Sequence, residues 1–127
     1  MPVKVLIADD QDMLRKAIRD VLKVDPDIKV VGEAEDFPQV VALIRDLNPH
    51  VVVLDLHMPA SPNFSFGDIK RAATAAGSKL IAVSVWQDEP SRALATSFGS
   101  STLLDKANLA TLLIPAIRQL MATGMDS

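Results

Sequence analysis

Three features of this 127-residue chain predict a three-layer α/β domain in which a parallel sheet is covered on both faces by helices. Short runs rich in Val, Ile and Leu recur along the chain; amphipathic helical segments separate them; and the runs are nearly continuously apolar instead of alternating. Parallel strands need crossover connections and hide both of their surfaces, so this pattern is the one such a sheet produces.

The strands are expected at Val3 to Ala8 (VKVLIA), Ile28 to Glu33 (IKVVGE), Val51 to Leu56 (VVVLDL), Lys79 to Val85 (KLIAVSV) and Thr102 to Leu104 (TLL). Met13 to Val24 sets Leu14, Ile18, Val21 and Leu22 on one stripe and predicts the first helix. Pro38 to Leu47 follows Asp36, a suitable cap, and stops before Asn48 and Pro49. A third helix is expected over Asp68 to Ala76, ending at Gly77, and a fourth between the capping Asp88 and Gly99. The fifth, Leu109 to Thr123, follows Asn108 and carries Pro115, which removes a backbone donor and predicts a kink. The order is therefore five repeats of strand and helix, read as one domain over residues 1–127, with 122–127 a tail or the start of a linker.

Composition narrows the function. With 49% hydrophobic residues the chain can bury one substantial core. A net charge of −3 with scattered Lys and Arg gives no basic field, which argues against nucleic-acid or anionic-membrane binding by this chain. The absence of cysteine excludes disulfides, thiolate metal sites and a cysteine nucleophile. No apolar run approaches the roughly 18 residues of a membrane span, and MPVKVLIADD lacks the pattern of a signal peptide, so a cytoplasmic location is expected.

In an open parallel sheet the functional crevice lies beyond the carboxyl ends of the strands. Here those ends carry Asp9 and Asp10, Asp55, and Ser84, and the fifth strand is followed by Lys106. Three converging carboxylates repel one another, each pair at about 4 Å by on the order of 4 kcal/mol at an effective dielectric near 20, so a cation belongs to the design. An all-oxygen donor set without cysteine or clustered histidines suits a hard ion such as Mg²⁺. Mg²⁺, a lysine and a hydroxyl around one carboxylate can stabilise a transferring phosphoryl group, and aspartate is a nucleophile for that chemistry. Asp55 is the expected phosphoacceptor.

VLIADD, VVVLDLHMP, AVS and LLDK, in this order and at familiar separations, make the chain resemble the receiver domain of two-component response regulators over nearly all of its length. The wording IADD, LDLHMP and SVWQDEPSRALATSFG is most similar to receivers that precede a helix-turn-helix DNA-binding domain. The resemblance implies a flavodoxin-like doubly wound (βα)5 fold with strand order 2-1-3-4-5. It implies that Asp55 takes phosphate from a histidine of a sensor kinase, with Mg²⁺ (or Mn²⁺) as cofactor. Asp10 would be the direct metal ligand, Asp9 would act mainly through a water, and Asp55 and the backbone carbonyl of His57 would complete the protein ligands. Ser84 and Lys106 would contact the phosphoryl group once it arrives. His57 and Trp86, two residues beyond Asp55 and Ser84, would set how long it survives. The chain would then be a signalling domain that promotes its own phosphotransfer and autodephosphorylation, not an enzyme acting on a separate substrate. Its partners would be the kinase and, on phosphorylation, a second copy of itself. Its output would be transcription through a DNA-binding domain following the linker, and truncation there is favoured over a stand-alone receiver.

Plainer readings stand beside these. Asp9 and Asp10 suit the start of a helix, Ser84 a small strand end, Lys106 a solvated surface, and Met58 and Pro59 packing and a turn. A haloacid-dehalogenase-type phosphatase would want a second acid where His57 stands, and a flavodoxin a Ser, Thr and Gly-rich cradle where DDQD stands. The stronger alternative is a non-phosphorylated interaction module of the same fold. Two departures from the family favour it: Leu103 occupies the place of the usual fifth-strand aromatic, and ASPNFSFGD (Ala60 to Asp68) replaces a short Gly-containing turn. Phe64 and Phe66 in that segment are expected as core plugs, with a contact patch as the alternative.

Overall fold

The computed structural model describes residues 2–59, 64–100 and 102–125. The elements follow as β1 (Val3–Ala8), α1 (Asp12–Leu22), β2 (Ile28–Ala34), α2 (Phe37–Leu47), β3 (Val51–Asp55), α3 (Phe66–Ala76), β4 (Lys79–Ser84), α4 (Glu89–Phe98), β5 (Thr102–Asp105), a 3-10 turn (Lys106–Asn108) and α5 (Leu109–Met125). All strand pairs are parallel, and the sheet order is β2-β1-β3-β4-β5, as expected for the flavodoxin-like fold.

Period-two alternation divides the strands between two cores. Leu6, Ala8, Val52, Leu54, Leu80 and Ala82 face α2, α3 and α4, where they meet Phe37, Val40, Ile44, Ile69 and Phe98. Val5, Ile7, Val51, Val53, Ile81 and Val83 face the other way, onto Ile18 and Leu22 of α1 and Leu109, Leu113 and Ile117 of α5. This explains the continuous apolar runs: neither face of a central strand meets water.

Local chemistry sets the helix limits. The side chains of Asp36 and Asp88 accept from Gln39 N and Ser91 N at 2.9 and 3.0 Å, capping α2 and α4. Gly77 and Gly99 close α3 and α4 at φ of 72° and 93°, a backbone region that costs glycine little. Asn48 takes the same left-handed role after α2. α3 begins at Phe66, two residues before the expected Asp68, because the Ser65 hydroxyl accepts from Gly67 N and caps it there. α5 runs through Pro115 without interruption.

Residues 60–63 of the substituted segment lie outside the described residues, as do 126–127 of the expected tail. Beyond that gap, Phe64 stacks on Phe37 at 5.0 Å between ring centroids, and Phe66 sits against Phe98 at 4.7 Å. All four phenylalanines of the chain thus form one cluster joining α2, α3 and α4. Phe64 is packed against the core, whereas Phe66 keeps much of its ring exposed. Leu103 is half-buried and packs on the same core. Among the described residues no helix is long and apolar enough to cross a membrane.

Candidate functional site

Strand register brings the site together. Ala8 lies opposite Leu54, so the next residue of each strand, Asp9 and Asp55, stand side by side at the carboxyl edge. Ser84 lies opposite Asp105 on the neighbouring pair, which sets Lys106 one step beyond it. Asp10, on the loop leading to α1, completes the group: oxygens of Asp9, Asp10 and Asp55 all lie within 4.8 Å of one another.

Two of the three carboxylates are buried and the third is exposed. Asp9 and Asp55 are almost wholly shielded from solvent, and Asp10 faces it. Each buried acid spends one oxygen on its own turn: Gln11 N donates to Asp9 Oδ1 at 2.9 Å, and His57 N to Asp55 Oδ1 at 3.0 Å. The other oxygens face Lys106, whose Nζ lies 3.1 Å from both Asp9 Oδ2 and Asp55 Oδ2. Burial alone would push the Lys106 ammonium down, but the charges of Asp55 and Asp9 outweigh it and hold its pKa above the ordinary lysine value.

One ammonium does not satisfy this arrangement. Asp9 Oδ2 is ion-paired with Nζ at 3.1 Å, yet this buried oxygen accepts no well-directed hydrogen bond. A buried carboxylate oxygen without a hydrogen bond is costly, and here it lies beside two more carboxylates, a hard all-oxygen donor set suited to Mg²⁺. The residues present therefore fit the expected cation, with Asp10 as the solvent-facing donor.

The hydroxyl side of the site is also assembled. Ser84 is fully buried, its Oγ accepts from Trp86 N at 3.0 Å, and His57 Nε2 lies 3.1 Å from the same Oγ. Trp86 is 56% exposed and stands edge-on to the His57 imidazole at 5.0 Å, so its indole is a surface residue of the rim. Asp9, Asp10, Asp55, His57, Ser84, Trp86 and Lys106 thus occupy one rim, while His50 lies at the opposite edge, its Nδ1 accepting from Lys4 N. Met58 is buried, in keeping with a packing role.

Sequence reasoning missed Arg15. Its guanidinium is buried beneath the first loop, where NH1 donates to the Asp9 carbonyl at 2.7 Å and Nε to Glu33 Oε1 at 3.0 Å, and NH2 pairs with Asp12. A signal was present, since Arg15 shares the spacing of Ile18 and Leu22 on the inward stripe of α1.

Comparisons with known proteins point the same way as the geometry. A family model described as the response regulator receiver domain matches residues 5–118. The nitrate/nitrite response regulator protein NarL of Escherichia coli is 32% identical over 124 residues, which cover 98% of this chain and 57% of NarL. A protein-glutamate methylesterase/protein-glutamine glutaminase of Saccharophagus degradans is 45% identical over 65 residues, 51% of this chain and 19% of that protein. The chain therefore spans well under two thirds of these relatives. Among solved structures, the response regulator domain of Thermotoga maritima CheB superposes with a TM-score of 0.81 at 26% identity, covering 96% of this chain and 98% of that one.

Proposed function

Because the chain belongs to the response regulator receiver family, we propose that Asp55 is its phosphoacceptor and that a sensor histidine kinase is its donor. The observation that carries this reading is the pairing of a buried Asp55 with Lys106 at 3.1 Å beside a buried Asp9 oxygen that shares the same ammonium and accepts no hydrogen bond. In the forward step an Asp55 carboxylate oxygen attacks the phosphorus of a phosphohistidine. The O–P bond forms as the N–P bond breaks, and the electron pair returns to the imidazole nitrogen, which takes up a proton. Lys106, already between Asp9 and Asp55, offers its ammonium to the incoming phosphoryl oxygens. Ser84 turns its hydroxyl from His57 to the new group. Asp9, Asp10, Asp55 and the His57 carbonyl are the residues that would hold Mg²⁺, or Mn²⁺ in its place. When bound, the ion supplies positive charge against the carboxylates and the phosphoryl oxygens.

Loss of the group follows when water attacks phosphorus and expels the Asp55 carboxylate. His57 and Trp86, packed edge-to-face on the rim, are the side chains we assign to tuning that attack. The output we propose is transcriptional, through a separate DNA-binding domain, as the likeness of IADD, LDLHMP and SVWQDEPSRALATSFG to receivers that precede such a domain supports, with the kinase and a second phosphorylated copy as partners and the cytoplasm as the place of action. Phosphorylation shifts the conformation to reach that output.

Incubating the protein with Mg²⁺ and acetyl phosphate and weighing it is the direct test. A mass gain of one phosphoryl group that vanishes in Asp55→Asn is expected. No gain in the wild type overturns the reading and leaves the non-phosphorylated interaction module.

A further inference from the structure

The grip of Arg15 on the first loop has a functional consequence beyond packing. NH1 donates to the Asp9 carbonyl at 2.7 Å in a buried bond, and that carbonyl belongs to the peptide plane joining Asp9 to Asp10. A peptide plane is rigid, so fixing its oxygen fixes the direction in which Asp10 leaves it. The same guanidinium holds Asp12 on the far side of the loop and is itself held by Glu33 Oε1 at 3.0 Å and Glu35 Oε1 at 3.5 Å at the end of β2. Asp10, exposed to solvent, thus leaves a peptide plane that a buried fork anchors from below.

We propose that Arg15 is a positioning residue for the cation site: it aligns the Asp9–Asp10 peptide so that the Asp10 carboxylate meets those of Asp9 and Asp55. The proposal rests on the phosphoacceptor reading, and in particular on Mg²⁺ binding by these three acids. Charge and positioning make opposite forecasts here. Arg15 is a cation close to a cation site, so as a charge alone it weakens Mg²⁺ binding, and its removal would tighten it. As an aligning group its removal weakens binding. Arg19 is the matched control, since it pairs with the same Glu33 at 2.6 Å yet makes no contact with Asp9 or Asp10.

Mg²⁺ alone would be titrated into the whole chain while the amide resonances of Asp9, Asp10 and Asp55 are followed, with each variant's melting in EDTA confirming that it is folded. Arg15→Met is expected to raise the dissociation constant on the order of tenfold, equivalent to about 1.4 kcal/mol. Arg15→Lys keeps the charge but loses the planar fork, and a rise of about threefold is expected. Arg19→Met is expected to stay within about twofold of the wild type or bind more tightly, as a pure charge effect requires. Arg15→Met binding as tightly as Arg19→Met overturns the proposal. Should Arg15→Met not fold, Arg15→Lys decides, and wild-type affinity there overturns it equally. A wild type that takes up no Mg²⁺ is a different failure, one that removes the cation reading itself.

Discussion

Ser84 and Ser100 are both buried serines at the ends of strands, one at the carboxyl edge of the sheet and one at the amino edge, and their surroundings differ in kind. Ser100 Oγ is enclosed by backbone: Ala82 N and Thr102 N donate to it at 3.3 and 3.2 Å, and the Leu80 and Thr102 carbonyls lie 2.9 and 2.8 Å away. Ser84 Oγ has one backbone donor and one side-chain neighbour, His57, which a new ligand can displace. The histidines repeat the contrast. His50 is locked by the Lys4 amide, while His57 shares its ring between Ser84 and Trp86. At the amino edge these groups are bonded by backbone alone; at the carboxyl edge each also has a side-chain neighbour.

The largest effect should come from breaking the amino edge. Ser100→Ala strands buried backbone groups, and a loss of about 2 kcal/mol is expected in urea unfolding, equal with and without Mg²⁺. A loss that Mg²⁺ reverses would mean that the two edges are not independent.

At the carboxyl edge, Trp86→Ala uncovers His57 and should speed phosphoryl loss from Asp55 several-fold, about 1 kcal/mol of barrier, with Mg²⁺ affinity nearly unchanged. Decay followed by intact mass after donor removal checks this, and a wild-type rate would leave Trp86 without a part in the lifetime.

A smaller gain in stability is expected from Asp10→Asn. The exposed carboxylate adds like charge to two buried acids that share one lysine, so its removal should raise the melting temperature in EDTA by a degree or two, on the order of 0.5 kcal/mol. Mg²⁺ should narrow or reverse the difference, and a lower melting point in EDTA would show that Asp10 does not repel its neighbours.

The smallest effect sharpens the comparison by showing that an acid near the carboxyl edge can be purely structural. The Ser91 hydroxyl, and after it the Ser91 N–H of the cap, hold the Asp88 carboxylate below its ordinary value. Its depressed pKa contributes stability above the unfolded-state value of about 3.9, and this is lost as pH falls through the folded value. Asparagine caps nearly as well, so Asp88→Asn should match the wild type at pH 7 and show a flatter acid limb in a melting series from pH 6 to 3. A large loss at pH 7 would give Asp88 a further part.

What the sequence made legible follows from what local chemistry controls. Strand identities, the Asp36 and Asp88 caps and the glycine stops are written in adjacent residues. The carboxylate cluster was legible because strand ends in a parallel sheet must converge. Strand order came from family resemblance, since a continuous apolar run states that a strand has two covered faces and not which strand lies beside it. The burial of Arg15 was hidden because its partners, Glu33 and Glu35, are distant in sequence and arginine is ordinarily a surface residue. The start of α3 was misplaced because Ser65 caps through a short two-residue bond that pattern reading passes over. The division between Phe64 and Phe66 was equally unreadable, because Phe64 meets Phe37 of α2 and Phe66 meets Phe37 and Phe98 of α4, partners that come from elsewhere in the chain.

The cover of α5 over one face of the sheet also governs how the chain behaves during synthesis. Val5, Ile7, Val51, Val53, Ile81 and Val83 need Leu109, Leu113 and Ile117, which leave the ribosome after every strand has been made. At about 5–20 residues per second that face waits seconds for its last helix, exposed to whatever apolar surface is nearby. The face under α2, α3 and α4 receives each helix between its own strands. Collapse of the nascent chain should therefore begin there and finish on the α1 and α5 side.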